Sequence, residues 1–336
     1  MIRYIIRRSL GAVLVVFVVS ILTFAIFQLG PALTHNSPLY YYVGKQPPAK
    51  GSVQYNLMLH AYGFDKPIPV QYLVWLKHLF TGQNVTDGTS GFTHCSAPCL
   101  GYSYRLNTSV TSLIGQAVPV SLSLAVGASI LWLFGGLLVG TISGLRPGSI
   151  IDRIGMTLAL GAVSIPIFFT GPVLLLIFVY QLKWLPNVTY AGITADPLQW
   201  LKSMILPWIA LALTFAALYA RLTRANMMEV MSEDYIRTAR AKGLLPRAVV
   251  LRHAFRNALV PIVTVATLLF GELLGGAVLT EQVFTIPGFG KLIVDSVFNR
   301  DYAVVQGVVL VTASIYIVLN LLADLASFAV DPRLRG

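Results

Sequence analysis

Long apolar runs, separated by short polar or basic stretches, dominate this chain. Leu10 to Leu29 carries no charge. A second charge-free run extends from Leu106 to Leu145, with its crossing part predicted at Val118–Leu145. Ile154 to Leu182 and Ser203 to Ala220 follow, also without charge. Asn257 to about Val283 is apolar apart from Glu272 and Glu281, and Tyr302 to Ala323 begins a last run predicted to end near Ala329. A helix crosses hydrocarbon in about 20 residues, so the pattern predicts six spanning helices. In lipid each span must satisfy its own backbone, which favours helix over open sheet. The expected fold class is therefore all-α, a polytopic membrane protein. Pro166, Pro172, Pro207 and Pro261 lie in or near the spans. They read as kinks absorbed by packing, with gating hinges as the alternative.

Composition agrees: 56% of residues are hydrophobic, 11% are charged, and the mean hydropathy is +0.74. A soluble domain of 336 residues needs more charge than that. The net charge of +11 is unevenly distributed. Arg3, Arg7 and Arg8 precede the first span, and Arg146 and Arg153 flank the link between the second and third. Arg221, Arg224, Arg237, Arg240, Lys242, Arg247, Arg252 and Arg256 fill the link between the fourth and fifth. Arg333 and Arg335 follow the sixth. These are fifteen of the 24 basic residues, and all fall on one side if six spans alternate. That is the positive-inside pattern, and it predicts two cytoplasmic termini. It also argues against nucleic acid as the partner of the basic patch. The N-terminus has the basic start of a signal peptide, but its apolar run is too long and Gly30-Pro31-Ala32-Leu33 is a poor cleavage site. An uncleaved first span is expected.

The predicted organisation is an N-terminal basic segment with the first span (1–30), an outward loop region (31–117) and a five-helix core (118–336). The core carries a cytoplasmic link at about 222–257. The outward region holds Tyr40-Tyr41-Tyr42 and an amphipathic segment, Pro69 to Phe80, in which Tyr72, Trp75, Leu76 and Leu79 recur at helical spacing. This suits a helix lying on the membrane or on the spans, or a docking surface for a soluble outer protein. Cys95 and Cys99 are the only cysteines. An oxidising outer location favours a disulfide over Ser-Ala-Pro. Free thiols are the second reading. A metal with His94 is the third, and it supplies only three ligands. The Asn-x-Ser/Thr triplets at Asn84, Asn107 and Asn187 matter only in a eukaryotic secretory route.

The link from 222 to 257 is the most informative part. Ser232, Glu233, Asp234, Arg237, Arg240, Lys242 and Gly243 read as one short helix. Acids sit at its start and bases at its end, Ser232 can cap it, and Glu233 can pair with Arg237. Gly243 suits the left-handed position after its end, and Pro246 suits the first turn of another helix. Two helices joined at a glycine form a rigid knob that can pass force from a soluble partner to the spans. The chain itself has no nucleotide motif. Gly288-Phe-Gly-Lys291 resembles a phosphate loop, but Thr285 and Leu292 stand where Gly and Ser or Thr are needed. Energy must come from a gradient or from a partner. Glu272, Asn320 and Asp324 are polar groups within or beside the apolar runs; one reading makes Glu272 and Asn320 candidates to line a pathway, and the other packs such groups against neighbouring helices or sets them near an interface, Asp324 at the inner end of the sixth span.

At these residues the chain resembles the inner-membrane permeases of binding-protein-dependent ABC importers for dipeptides, oligopeptides and nickel. The strongest block runs from Asp234-Tyr-Ile-Arg-Thr-Ala-Arg-Ala-Lys-Gly243 to Arg252-His-Ala-Phe-Arg-Asn-Ala-Leu-Val-Pro261. Further matches are Arg3 to Arg8, Pro67 to Trp75, Leu274 to Phe284 continuing into Pro287-Gly-Phe-Gly290, and Asp331-Pro-Arg333. Arg237-Thr-Ala239 replaces the general Glu-Ala-Ala, and the closing proline comes late, as in the peptide subgroup. Gln83 to Pro98 looks like an insertion.

The resemblance implies a type I importer permease fold and a non-catalytic subunit without a cofactor of its own. It implies a second, homologous permease, usually distinct although a homodimer is open. It also implies two ATPase subunits carrying ATP and Mg, and an outer solute-binding protein. Asp234, Arg237, Thr238, Ala239, Arg240, Lys242, Gly243 and Leu244 would form the helix seated in an ATPase groove. The rival reading is a gradient-driven secondary transporter or channel. It does not predict the helix–Gly–Pro–helix link, and the inverted repeats it favours are not evident.

Overall fold

A computed structural model describes residues 2–33, 39, 48–86, 92–186 and 190–330. The elements in chain order begin with α1 (Ile2–Leu33), α2 (Val53–Ala61), α3 (Ile68–Thr81), β1 (Gln83–Thr86), β2 (Phe92–Cys95), β3 (Tyr102–Ser103) and β4 (Thr108–Ser109). Then come α4 (Val110–Leu145), α5 (Ile150–Ser164) and α6 (Ile167–Leu175), which continues as a π turn over Leu176–Gln181. The rest is α7 (Pro197–Ser232), α8 (Asp234–Ala241), the single turn α9 (Pro246–Ala248), a π segment Val249–Ala254, α10 (Phe255–Val283), α11 (Phe289–Phe298) and α12 (Tyr302–Val330). The chain is mostly helical, as its apolar runs dictate. The two β ladders are additions that the sequence pattern missed.

Among the described residues four helices are long and apolar enough to cross a membrane: Ile6–Leu29, Val110–Leu145, Pro197–Ser232 and Tyr302–Leu321. The third predicted span is not one rod. α5 and α6 meet at 105°, and counted together they make a fifth. Ile165 before Pro166 is extended (φ −94°, ψ 119°), because a proline ring disfavours helix at the preceding residue. Pro207 and Pro119, by contrast, lie inside unbroken helices. The remaining predicted span coincides with α10, whose 29 residues would extend about 43 Å.

The described chain divides into two compact units. One comprises Val120–Ile286 with the chain from Leu319 onward. Its core joins α4, α7 and α10 through Trp132, Leu124, Met204, Leu211, Ile262 and Leu273, all buried. α4 and α7 meet backbone to backbone. A Cβ on Gly136 would lie 2.9 Å from the Ala216 carbonyl oxygen, one on Gly140 2.5 Å from that of Ala220, and one on Gly144 2.7 Å from Met227 Cβ. Glycine every fourth residue is what lets apolar helices approach closely in lipid. A Cβ on Gly127 would meet the Trp208 indole at 2.1 Å. That ring is held by its Nε1–H donating to the Ser123 carbonyl at 3.0 Å, and Trp200 Nε1 donates to Ser123 Oγ at 3.0 Å. Trp132 packs edge-on against Tyr219 at 4.9 Å, whose hydroxyl donates to the Ile262 carbonyl of α10 at 3.3 Å.

The second unit comprises Ile2–Pro119 and Pro287–Val318. The predicted amphipathic segment is α3, and it lies on α1. Phe24 meets Tyr72 at 5.3 Å and Trp75 at 5.7 Å, and the Ser20 and Tyr72 hydroxyls share a hydrogen bond of 2.8 Å. After α3 the chain turns into the β1–β2 hairpin, which pairs Asn84 with His94. The His94 ring contacts Asn84 Oδ1 at 2.8 Å rather than joining the cysteines. Cys95 and Cys99 are bonded to each other and are buried beside Val85 and Tyr102. Asp301, just before α12, is buried and accepts from the Ser103 hydroxyl. Burial raises its carboxyl above the usual carboxylate range, while the Ser103 bond acts in the opposite direction.

The α4–α7 approach generates a test. Gly140→Ala should destabilise the protein by about 1–3 kcal/mol, since a backbone oxygen cannot move aside as a side chain can. Gly135→Ala, with nothing within 4 Å of its Cβ, should be neutral. Unfolding temperatures of the two variants in one detergent decide it, and equal values would refute the close packing.

Candidate functional site

The knob is built from the end of α7 to the start of α10. α7 runs on past the expected end of its span to Ser232, so the first part of the inner link is helix. Ser232 does not cap α8. Its hydroxyl donates back to the Glu229 carbonyl at 2.6 Å, and Glu233, extended at φ −67° and ψ 147°, takes the cap position with no side-chain bond. Arg237 pairs with Asp234 at 3.4 Å, three residues away, rather than with Glu233. With Asp234 inside the first turn, its carboxylate stands one turn below Arg237 and nearer than that of Glu233. Thr238 Oγ1 donates to the Asp234 carbonyl at 3.0 Å.

The end of α8 is as predicted. Lys242 is the last capping residue and Gly243 follows at φ 77°. Gly243 N–H donates to the Arg240 carbonyl at 3.0 Å and Leu244 N–H to that of Ala239 at 3.4 Å, the paired bonds of a Schellman turn. Pro246 then opens α9 at its first turn.

One face of α8 is spent on its own chain. Ile236 and Ala239 are buried, and they join Met227, Val249 and Ala254 in the core. Tyr235 is tied down by Asn257 Nδ2, which donates to its hydroxyl at 2.9 Å. The other face presents Asp234, Arg237, Thr238, Arg240, Lys242 and Leu244 to solvent, with Leu245 75% exposed beside them. The structure thus gathers seven of the eight predicted residues on one surface or its capping turn, and turns Ala239 inward.

A second anchor escaped the sequence reading. Asp152 of α5 is buried and receives Arg224 of α7 on both oxygens, at 2.6 and 2.8 Å, and the Gly148 N–H at 2.8 Å. Ser149 caps α5 by accepting the Asp152 N–H at 3.2 Å. The Ser-x-x-Asp spacing was a visible signal, but nothing singled out Arg224 among eight basic residues. At the other end of the core, buried Glu281 of α10 accepts from Ser121 of α4 at 2.6 Å. The sequence marked Glu281 only as an interruption. Asn320 is half-buried on α12. The side chains of Glu272 and Asp324 lie outside the described residues.

The long apolar helices, with a basic helix–turn–helix link between two of them, make this a polytopic membrane protein. The family model of the binding-protein-dependent transport system inner membrane component matches residues 136–336, and its N-terminal membrane component matches residues 1–125. The chain belongs to this family, so it is a permease subunit that works with a binding protein and an ATPase. It is 36% identical to a probable peptide ABC transporter permease of Sinorhizobium fredii over 99% of both chains. It is 37% identical to the glutathione transport system permease of Pectobacterium atrosepticum, over 100% of this chain and 99% of that one. It is 34% identical to the dipeptide transport system permease of Bacillus subtilis, over 100% and 98%. In fold it resembles the MetNI methionine ABC transporter in an inward-facing conformation. That match has a TM-score of 0.54 and 20% identity, and covers 66% of this chain and 97% of that one.

Asp152→Asn should lower stability by about 1.5–3 kcal/mol, because it leaves a guanidinium without its charged partner. Arg153→Gln, on the exposed side of α5, should change little. Thermal unfolding of both variants in detergent is the measurement, and an unchanged Asp152→Asn would remove the anchor.

Proposed function

We propose that this chain forms half of the pathway of a peptide importer, pairs with a second, homologous permease, and is driven by two cytoplasmic ATPases that supply the ATP and Mg. A solute-binding protein would deliver dipeptides, oligopeptides or related ligands from outside. Peptide cargo is supported by relatives of nearly equal length whose names specify peptide, dipeptide or glutathione transport. Six spans with both termini and the knob in the cytoplasm are supported by the basic residues at alternate span ends. The same orientation puts the bonded Cys95 and Cys99 outside, where a disulfide persists.

The observation that carries the coupling role is the division of α8 into two faces. Ile236 and Ala239 fix it to the core, so a push on its outer face moves α7 and α10 with it. Asp234, Arg237, Thr238, Lys242 and Leu244 would be the ATPase contact, Arg240 borders it, and Gly243 sets the turn. In this assignment Ala239 is a packing residue and not a partner contact.

A Cβ on Gly243 would meet no atom within 4 Å, so the effect of Gly243→Val lies mainly in the backbone conformation. A β-branched residue at φ 77° costs about 1–2 kcal/mol or more and should unwind the Schellman turn. Insertion and yield should be retained, while peptide uptake and binding-protein-stimulated ATP hydrolysis fall by at least about tenfold, the equivalent of 1.4 kcal/mol. Reconstituted vesicles containing the whole complex are the assay. Full stimulation in the variant would reject the coupling assignment. Orientation has its own test, with single cysteines introduced into protein lacking Cys95 and Cys99. Position 237 should resist an impermeant thiol reagent in intact cells, and position 96, exposed between the two buried cysteines, should react; labelling at 237 would overturn the topology.

A further inference from the structure

We infer that a polar cavity in the second unit, lined from α1, α3 and α12, is a binding site for about two ordered water molecules that bridge these helices. The cavity has a volume of about 60 Å³. One water takes about 30 Å³ in the liquid, so two fit. Sites for organic ligands begin near about 300 Å³, which rules out a peptide as the occupant.

Three buried amides border this small space: Gln28 on α1, Gln71 on α3 and Gln306 on α12, at 4%, 9% and 2% exposure. Tyr62, just after α2, forms another wall, and Phe24 and Trp75 supply apolar surface. Gln71 has its donors engaged. Its Nε2 donates to the Lys66 carbonyl at 2.7 Å and to the Phe64 carbonyl at 3.5 Å. Those bonds identify Oε1 as the acceptor end, and Oε1 is buried with no partner among the described residues. The Tyr62 hydroxyl is buried and unpartnered in the same way. Its ring stacks on Phe64 at 5.6 Å and meets Tyr104 edge-on at 5.8 Å, which holds the hydroxyl in place.

A buried polar atom without a hydrogen bond is costly, so these two groups need a partner that enters the cavity. Gln71 Oε1 can only accept, while the Tyr62 hydroxyl can donate and accept. Water satisfies both, and cavities with polar walls hydrate whereas apolar ones stay dry. A cation would bring a charge that nothing offsets, since no acid lines the cavity. An apolar guest would leave both polar atoms orphaned. The waters thus continue the contact of α1 with α3. Phe24 carries its apolar part against Tyr72 and Trp75, and Gln28, one turn further along α1, borders the wet part.

The test is Tyr62→Phe in the full-length permease, which deletes one hydroxyl and keeps the ring. With water bound, the variant loses a hydrogen bond and leaves the water short of a partner. Its unfolding temperature in one detergent should then fall by about 2 °C. With the cavity dry, the variant removes an unpaired buried oxygen and the temperature should rise. An unchanged or higher temperature would overturn the site. The second measurement is an electron cryo-microscopy map of the whole transporter complex that resolves waters. Two separate peaks should lie in the cavity, with Gln71 Oε1 and the Tyr62 hydroxyl each about 3 Å from one of them. At least one peak should vanish in Tyr62→Phe. An empty cavity, or one continuous density larger than two waters, would refute the assignment.

Discussion

Inside a bilayer no hydrophobic force drives one apolar helix onto another, so the core depends on how closely α4 and α7 approach. Gly136, Gly140 and Gly144 remove the side chains that would hold the two backbones apart. Further contacts of the core flank that seam. Trp132 and Trp208 fill the space beside it, and Tyr219 carries it across to α10 through one hydrogen bond.

Polar locks then fix the ends of the same helices. Asp152 with Arg224 holds α5 to α7 near the inner link, and Ser121 with Glu281 holds α4 to α10 at the other end. Such groups are costly to bury alone and stable when satisfied, so each pins one register between two helices. The locks and the seam together tie α4, α5, α7 and α10 to one another, the connection a permease needs if a force applied at one link is to change access elsewhere.

The knob connects to those helices through small, buried contacts. Ile236 and Ala239 seat α8 on the core, Asn257 holds Tyr235, and the turn at Gly243 directs the chain into α9. The charges that make the segment conspicuous point the other way, toward solvent. What is conspicuous in the sequence is therefore the contact surface, whereas the attachment is made by residues that look ordinary.

The sequence by itself determined the membrane class, the positions of the apolar helices, the amphipathic α3 and the left-handed turn at Gly243. Each follows from local physics: uncharged length, helical periodicity, or a residue whose conformational freedom is unique. The same physics placed Pro246 at a helix start and the cysteines within reach of each other. Tertiary structure decided the rest. Ser232 lost the cap because α7 continues through it, and of the prolines in or near the spans Pro166 broke its helix while Pro207 did not. Ala239 turned inward into the buried cluster that also holds Met227, Val249 and Ala254. Arg224 acquired its role from Asp152, 72 residues away. No local rule selects a partner at that distance; only the folding of α5 against α7 brings the two charges together.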